Sequence, residues 1–228
     1  MSHVVCLFDI DGTLLSTGGA GRAAFEAALV AEFNLGTLRS KVNMSGRTDR
    51  SIAGDLFRAH DLEDSAENWQ RLRTAYLSRL PASLADRPGR ILPGVAELLA
   101  ALEQQPHVRL GLLTGNLAEG ARRKLGHFDL YDRFAFGAFG DVHLDRDSVA
   151  REAFQIVRRQ VHDEHPADRI WVIGDTPLDV QCARAIGARA IAVATGVHPL
   201  EELAACKPDH ATADLSDLAP LLNLFAAA

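Results

Sequence analysis

Apolar positions along this chain fall into short continuous runs separated by stretches of helical period. Val4-Val5-Cys6-Leu7-Phe8, Val108–Leu113, Arg169–Ile173 and Ala190–Ala194 are such runs, rich in β-branched residues. Continuous rather than alternating hydrophobicity predicts strands buried on both faces, the signature of a parallel sheet covered by helices. A further strand is predicted over Phe134–Phe139. Between the runs, Val95, Leu98, Leu99 and Leu102 form a helical stripe, as do Val149, Ala153, Ile156 and Val157, and the segment Leu215–Phe225 closes the chain as an apolar helix. Strands alternating with helices predict an α/β fold, a doubly wound parallel sheet.

One stretch breaks that alternation. From Arg22 to about Asp86 the period is helical throughout, over Ala23–Phe33, Ser51–Phe57 and Trp69–Leu80, with no convincing buried strand. Pro88-Gly89 and Pro93-Gly94 punctuate the return to the α/β pattern. The expectation is an all-helical cap domain at 16–88 inserted into a core formed by 1–15 and 89–228. Ser16-Thr17-Gly18-Gly19-Ala20-Gly21 leads into it; no Gly-Lys-Ser/Thr follows, so it reads as a hinge rather than a phosphate-cradling loop.

Composition narrows the class of partner. A chain of 228 residues holds one good core and a small second domain. A net charge of −6 argues against nucleic acid and anionic membranes. Cys6, Cys182 and Cys206 are widely spaced with no C-x-x-C pair, which favours a reducing compartment. No apolar run spans a bilayer and no leader precedes the first strand, so a cytoplasmic protein is expected. The histidines lack metal-ligand spacing. Ala226-Ala227-Ala228 is expected to fray.

The chemistry gathers where strands end. The first run stops at Asp9-Ile10-Asp11-Gly12-Thr13, placing two acids at the carboxyl edge of a buried strand, where open α/β sheets bind ligands. Alternate residues face opposite ways, so Asp9 and Asp11 share one site only if the chain curls, which Gly12 permits. One carboxylate could attack an electrophile while the other moves protons, and two such charges imply a cation. The second run ends in Thr114-Gly115-Asn116, whose hydroxyl, amide and helix N-terminal N–H groups suit a phosphate oxygen, although Asn116 also reads as a helix N-cap. In the helical stretch, Arg47 follows a glycine in Ser45-Gly46-Arg47-Thr48-Asp49-Arg50 and could fork onto an anionic group; Thr48 or Asp49 reads as an N-cap.

Asp9-Ile10-Asp11-Gly12-Thr13 resembles the first motif of the haloacid dehalogenase-like superfamily of phosphohydrolases, D-x-D-G-T. That resemblance implies Asp9 as the phosphorylated nucleophile and Asp11 as the general acid/base. Thr114 stands where the second motif has Thr or Ser. Gly174-Asp175-Thr176-Pro177-Leu178-Asp179 is similar to the fourth, G-D-x-x-x-D. Asp175, Asp9 and the Asp11 carbonyl then make an all-oxygen site suited to magnesium, with Asp179 as a supporting acid. The third motif is a single basic residue. Arg146 lies in the loop where it is expected, and Lys124, in the helix after Thr114, is its rival. Position along the chain favours Arg146; both are kept. Gly-Arg-Thr-Asp resembles cap sequences of phosphoglycolate phosphatase-like members. The resemblance implies a magnesium-dependent phosphatase acting on a small organic phosphate, with phosphoglycolate the leading candidate. A phosphomutase and a non-catalytic phospho-ligand-binding module are the alternatives; Asp11 speaks against a dehalogenase.

Overall fold

The computed structural model describes residues 3–39, 42–161 and 164–226. In chain order the elements are β1 (Val4–Phe8), β2 (Leu15–Ser16), α1 (Ala20–Glu32), α2 (Asp49–Ala59), α3 (Ala66–Ala85), β3 (Arg90–Ile91), α4 (Val95–Glu103), β4 (Val108–Leu113) and α5 (Ala118–His127). Then follow β5 (Phe136–Ala138), α6 (Arg146–Gln160), β6 (Ile170–Gly174), α7 (Pro177–Ala185), β7 (Arg189–Val193), α8 (Leu200–Ala205), β8 (His210–Thr212) and α9 (Leu218–Ala226). Ala226 thus ends a helix, and Ala227 and Ala228 lie outside the described residues.

A six-stranded sheet in the order β5-β4-β1-β6-β7-β8 forms the centre, with every pairing parallel. The expected doubly wound α/β fold is the one found. Alternation along β1 explains its fully apolar run. Val4, Cys6 and Phe8 pack into one layer with α4, α5 and α9, while Val5 and Leu7 pack into the other with α6, α7 and α8. With both faces covered, no polar side chain fits, and each large apolar residue contributes about 1.5–3 kcal/mol through burial. Trp171 of β6 meets the Phe225 ring edge-on at 5.7 Å, fastening α9 to the sheet.

Helices α1, α2 and α3 build an apolar cluster of their own around Phe25, Leu29, Phe57, Leu72, Tyr76 and Leu80, joined by Leu117 from the start of α5. Thr48 is the N-cap of α2, its hydroxyl accepting from Ser51 N at 3.1 Å. Ser65 does the same for α3 through Asn68 N. Pro81 sits inside α3; with no N–H, it leaves the Leu77 carbonyl without its helical donor. That carbonyl accepts instead from Arg123 of α5.

Several features go beyond the sequence reading. β2 and β3 pair antiparallel, Leu15 with Ile91 and Ser16 with Arg90, joining the helical stretch to the sheet at one point. The glycines after β2, read as a hinge, include Gly18 and Gly19 with φ of 60° and 82°, which set the entry into α1. β8, where no strand is predicted, is a short strand on the sheet edge. α9 begins at Leu218 rather than Leu215.

Candidate active site

Because β4, β1 and β6 are parallel neighbours, their carboxyl ends lie along one edge, at the point where the strand order reverses direction. Asp9 follows β1, Thr114 follows β4 and Asp175 follows β6. Past β1 the chain curls as Leu14 N and Leu15 N both donate to the Ile10 carbonyl. Gly12 takes φ +88° in that curl, and any Cβ there would collide with the Asp175 carboxylate. The backbone requirement and the close approach coincide at one glycine.

Asp9, Asp175 and Asp179 each offer a carboxylate oxygen within 4.8 Å of the others, and all three residues are buried. The Arg146 guanidinium donates to Asp9 Oδ1 at 3.3 Å and pairs with Asp179. Asp179 is further held by Thr176, whose N–H and hydroxyl donate to its Oδ2 at 3.0 and 2.7 Å. Burial pushes the Asp9 carboxyl up to about 6; Arg146 opposes the rise, Asp179 adds to it, and the Thr114 hydroxyl opposes it. Burial, then repulsion from Asp179 and Asp9, pushes Asp175 up to about 8, against the Thr13 hydroxyl, which donates to it at 2.9 Å. Three acids face one guanidinium, and their donor atoms are all oxygen. Such a set fits a hard divalent cation, whose charge would relieve the repulsion.

Asp11 turns the other way. Its Oδ2 accepts from Lys124 Nζ at 2.5 Å and from Asn116 Nδ2 at 3.0 Å. Asn116 also accepts from Lys124 at 2.6 Å and donates to the Thr114 hydroxyl at 2.8 Å. Lys124 lies on α5 and leans back along the helix to reach this network; a Cβ at Gly21 of α1 would lie 3.0 Å from its Nζ. Burial alone would lower the Lys124 pKa, but Asp11, Tyr76 and Asp49 outweigh it and leave the ammonium stabilised. The structure therefore brings both rival cations into the site, each on a different carboxylate.

Arg47 lines the same cavity, of about 520 Å³, with its guanidinium on Asp55 at 2.6 Å and the Asn43 carbonyl at 3.2 Å. Gly115 faces it from the core, and any Cβ there would meet the Arg47 carbonyl. The cavity lies between the sheet edge, with Asp9, Asp11, Arg146 and Asp175, and the helical stretch, with Arg22, Phe25, Asp49 and Tyr76.

Thr13 and Tyr76 have no site role in the sequence reading, and Asp49 has only that of a candidate helix cap. Thr13 carried a signal, as the hydroxyl ending D-x-D-G-T. Tyr76 reads only as one apolar position of a helical stripe. Asp49 reads as a cap of its own helix, yet its carboxylate accepts from Leu117 N of the core at 2.9 Å. Only the tertiary fold separates those two uses.

The sequence matches the family model described as haloacid dehalogenase-like hydrolase over residues 4–187. A phosphoglycolate phosphatase of Synechococcus elongatus is 33% identical over 152 residues, covering 66% of this chain and 68% of that protein. A phosphoglycolate phosphatase of Chromobacterium violaceum is 29% identical over 229 residues, covering 96% and 97%. Among solved structures, CbbY from Rhodobacter sphaeroides in complex with phosphate superposes with a TM-score of 0.73 at 19% identity, covering 95% of this chain and 96% of that one. At that identity the likeness is one of fold.

Proposed function

Because this chain belongs to the haloacid dehalogenase-like hydrolase family, we propose that it is a magnesium-dependent phosphatase of a small organic phosphate monoester, working through an aspartyl-phosphate. The observation that carries the reading is the division of labour between two carboxylates one residue apart. Asp9 lies buried against Arg146, in a cluster fit for a cation, while Asp11 is turned aside onto Lys124 and Asn116 at the cavity wall. Two environments give two roles.

Asp9 attacks phosphorus, and the leaving alkoxide takes its proton from Asp11. Asp11 then removes a proton from the water that cleaves the aspartyl-phosphate, returning Asp9. Thr114 and the basic groups Arg146 and Lys124 offset charge on the transferring phosphoryl group, with the Gly115 and Asn116 loop beside it. Magnesium would be held by Asp9, Asp175 and the Asp11 carbonyl, with Asp179 behind. When bound, it would supply positive charge that offsets the negative charge of the carboxylates and of the phosphoryl group.

The helical insertion, 16–88, serves as a lid whose closure excludes water and favours small substrates. Phosphoglycolate is the leading candidate, supported by the relatives' names and by Arg47, which would exchange Asp55 for the substrate carboxylate. The reading takes a small metabolite as partner, rather than nucleic acid or membrane, and a cytoplasmic location goes with it as part of the proposal; among the described residues no helix is long and apolar enough to cross a membrane. Phosphate release from a panel of phosphorylated metabolites tests the reading. Turnover should vanish in Asp9→Asn with the fold intact. An active, metal-independent Asp9→Asn protein would sink it. Isomerisation of a sugar phosphate without phosphate release would make it a phosphomutase, and failure on every ester, aryl phosphate included, a binding module.

A further inference from the structure

Helix α5 carries Lys124, yet it has no cap of its own. Its N-cap position is Leu117, whose side chain accepts no hydrogen bond. The open amides at its start are taken by carboxylates from two other segments. Leu117 N donates to Asp49 Oδ2 at 2.9 Å, and Ala118 N donates to Asp141 Oδ2 at 2.7 Å. Asp49 opens α2 in the helical insertion, and its own N–H donates to the Gly115 carbonyl at 2.8 Å. Asp141 is in turn gripped from the insertion by Arg73 of α3 at 3.1 Å. One turn further on, Arg123 reaches the Leu77 carbonyl freed by Pro81.

The insertion therefore supplies the missing end of a core helix. Four N–H groups at a helix start lack internal partners, and a carboxylate placed there satisfies them and complements the helix dipole. What α5 carries is the ammonium that bonds Asp11. Asp49 lines the cavity, but its Oδ2 is committed to Leu117 and a carboxylate there would repel a phosphoryl group rather than bind it.

We propose that Asp49 is a positioning residue for the reaction: from the insertion it terminates α5, and through α5 it holds Lys124 on Asp11. The catalytic pair is then complete only when the insertion is docked. This rests on the phosphatase reading, because it is the role of Asp11 there that makes the placement of Lys124 matter.

The test compares the full-length wild type with Asp49→Ala and Asp49→Asn, in magnesium, on an aryl phosphate that has nothing for Arg47 to hold. The expected result for Asp49→Ala is a kcat about tenfold lower with KM within about twofold, the size of a lost helix cap. Asp49→Asn keeps a carbonyl oxygen for the Leu117 amide and should recover kcat to within about threefold of wild type. In parallel, amide hydrogen exchange over 117–121 should quicken about tenfold in Asp49→Ala, while α9 stays as in wild type. An unchanged kcat, a raised KM at constant kcat, an Asn variant as impaired as Ala, or unaltered exchange in α5 would each overturn the proposal. If the wild type cleaves no phosphate ester, the phosphatase reading fails by itself. The exchange comparison then decides whether Asp49 holds α5.

Discussion

Lys124 and Arg146 competed for one role in the sequence because a long basic side chain can reach a site from more than one element, and spacing does not record which way it leans; Arg146, expected in a loop, is the first residue of α6. The fold gives them different acids and different surroundings. Arg146 is buried with Asp9 and Asp179, whereas Lys124 pairs with an Asp11 side chain that is 40% exposed. Removing the first leaves two acids buried without their partner, at a cost of about 3–5 kcal/mol. Arg146→Met is therefore expected to lower the melting temperature by about 10 °C. Lys124→Met should cost clearly less stability while still reducing kcat. Equal thermal losses in the two variants would mean that burial is not what separates them. Arg47 is tested by selectivity. Arg47→Ala removes a charge-assisted contact of about 1.5–3 kcal/mol, a tenfold to hundredfold loss of kcat/KM on a carboxylated substrate, and should spare an aryl phosphate. Equal losses on both would place Arg47 at the phosphoryl group, and no loss on either would leave it a partner of Asp55.

Elements were legible in proportion to how many faces they bury. β1, β4, β6 and β7 announce themselves as apolar runs because helices cover both sides of the sheet. β8, on the edge and only partly buried, carries His210-Ala211-Thr212 and no such run. β2 and β3 span two residues each, too short for any period. The closing helix was legible by its stripe but its work was not: Phe225 packs edge-on against Trp171 across the sheet face. Phe225→Ala should cost about 3–5 kcal/mol through the cavity it leaves. Tryptophan emission should shift to the red as water gains access to Trp171. Unaltered emission with lowered stability would mean that α9 stays seated without its anchor.

At the scale of the molecule, strand order could not be read from composition or spacing; a shared site for the strand ends was expected, and the sheet order makes β4, β1 and β6 neighbours so that their three ends meet. That meeting concentrates acids, and the sign of its consequence follows from proton linkage. Asp9 and Asp175 are held above the ordinary carboxylate value, at about 6 and about 8. Between about pH 4 and 8 the folded chain thus binds more protons at this cluster than the unfolded chain does, so its contribution to stability falls as pH rises. A cation bound only by the folded state reverses that trend, adding about 2.7 kcal/mol at a hundredfold excess over Kd. Melting in chelator against magnesium, at pH 5 and pH 8, should show a larger gain at pH 8, where protons no longer compete. A gain independent of pH would place the ion away from these carboxylates.

The short ladder of Leu15 with Ile91 and Ser16 with Arg90 has a consequence for the ancestry of such a chain. Everything between those strands departs from the sheet and returns to it through one doorway, and the apolar layers of the sheet are filled without it. The helices are in that sense a replaceable room: another set could be hung on the same doorframe without disturbing the walls. Selection for a new substrate can then act on one part and leave the chemistry untouched, provided that each newcomer brings its own carboxylate for the bare end of α5.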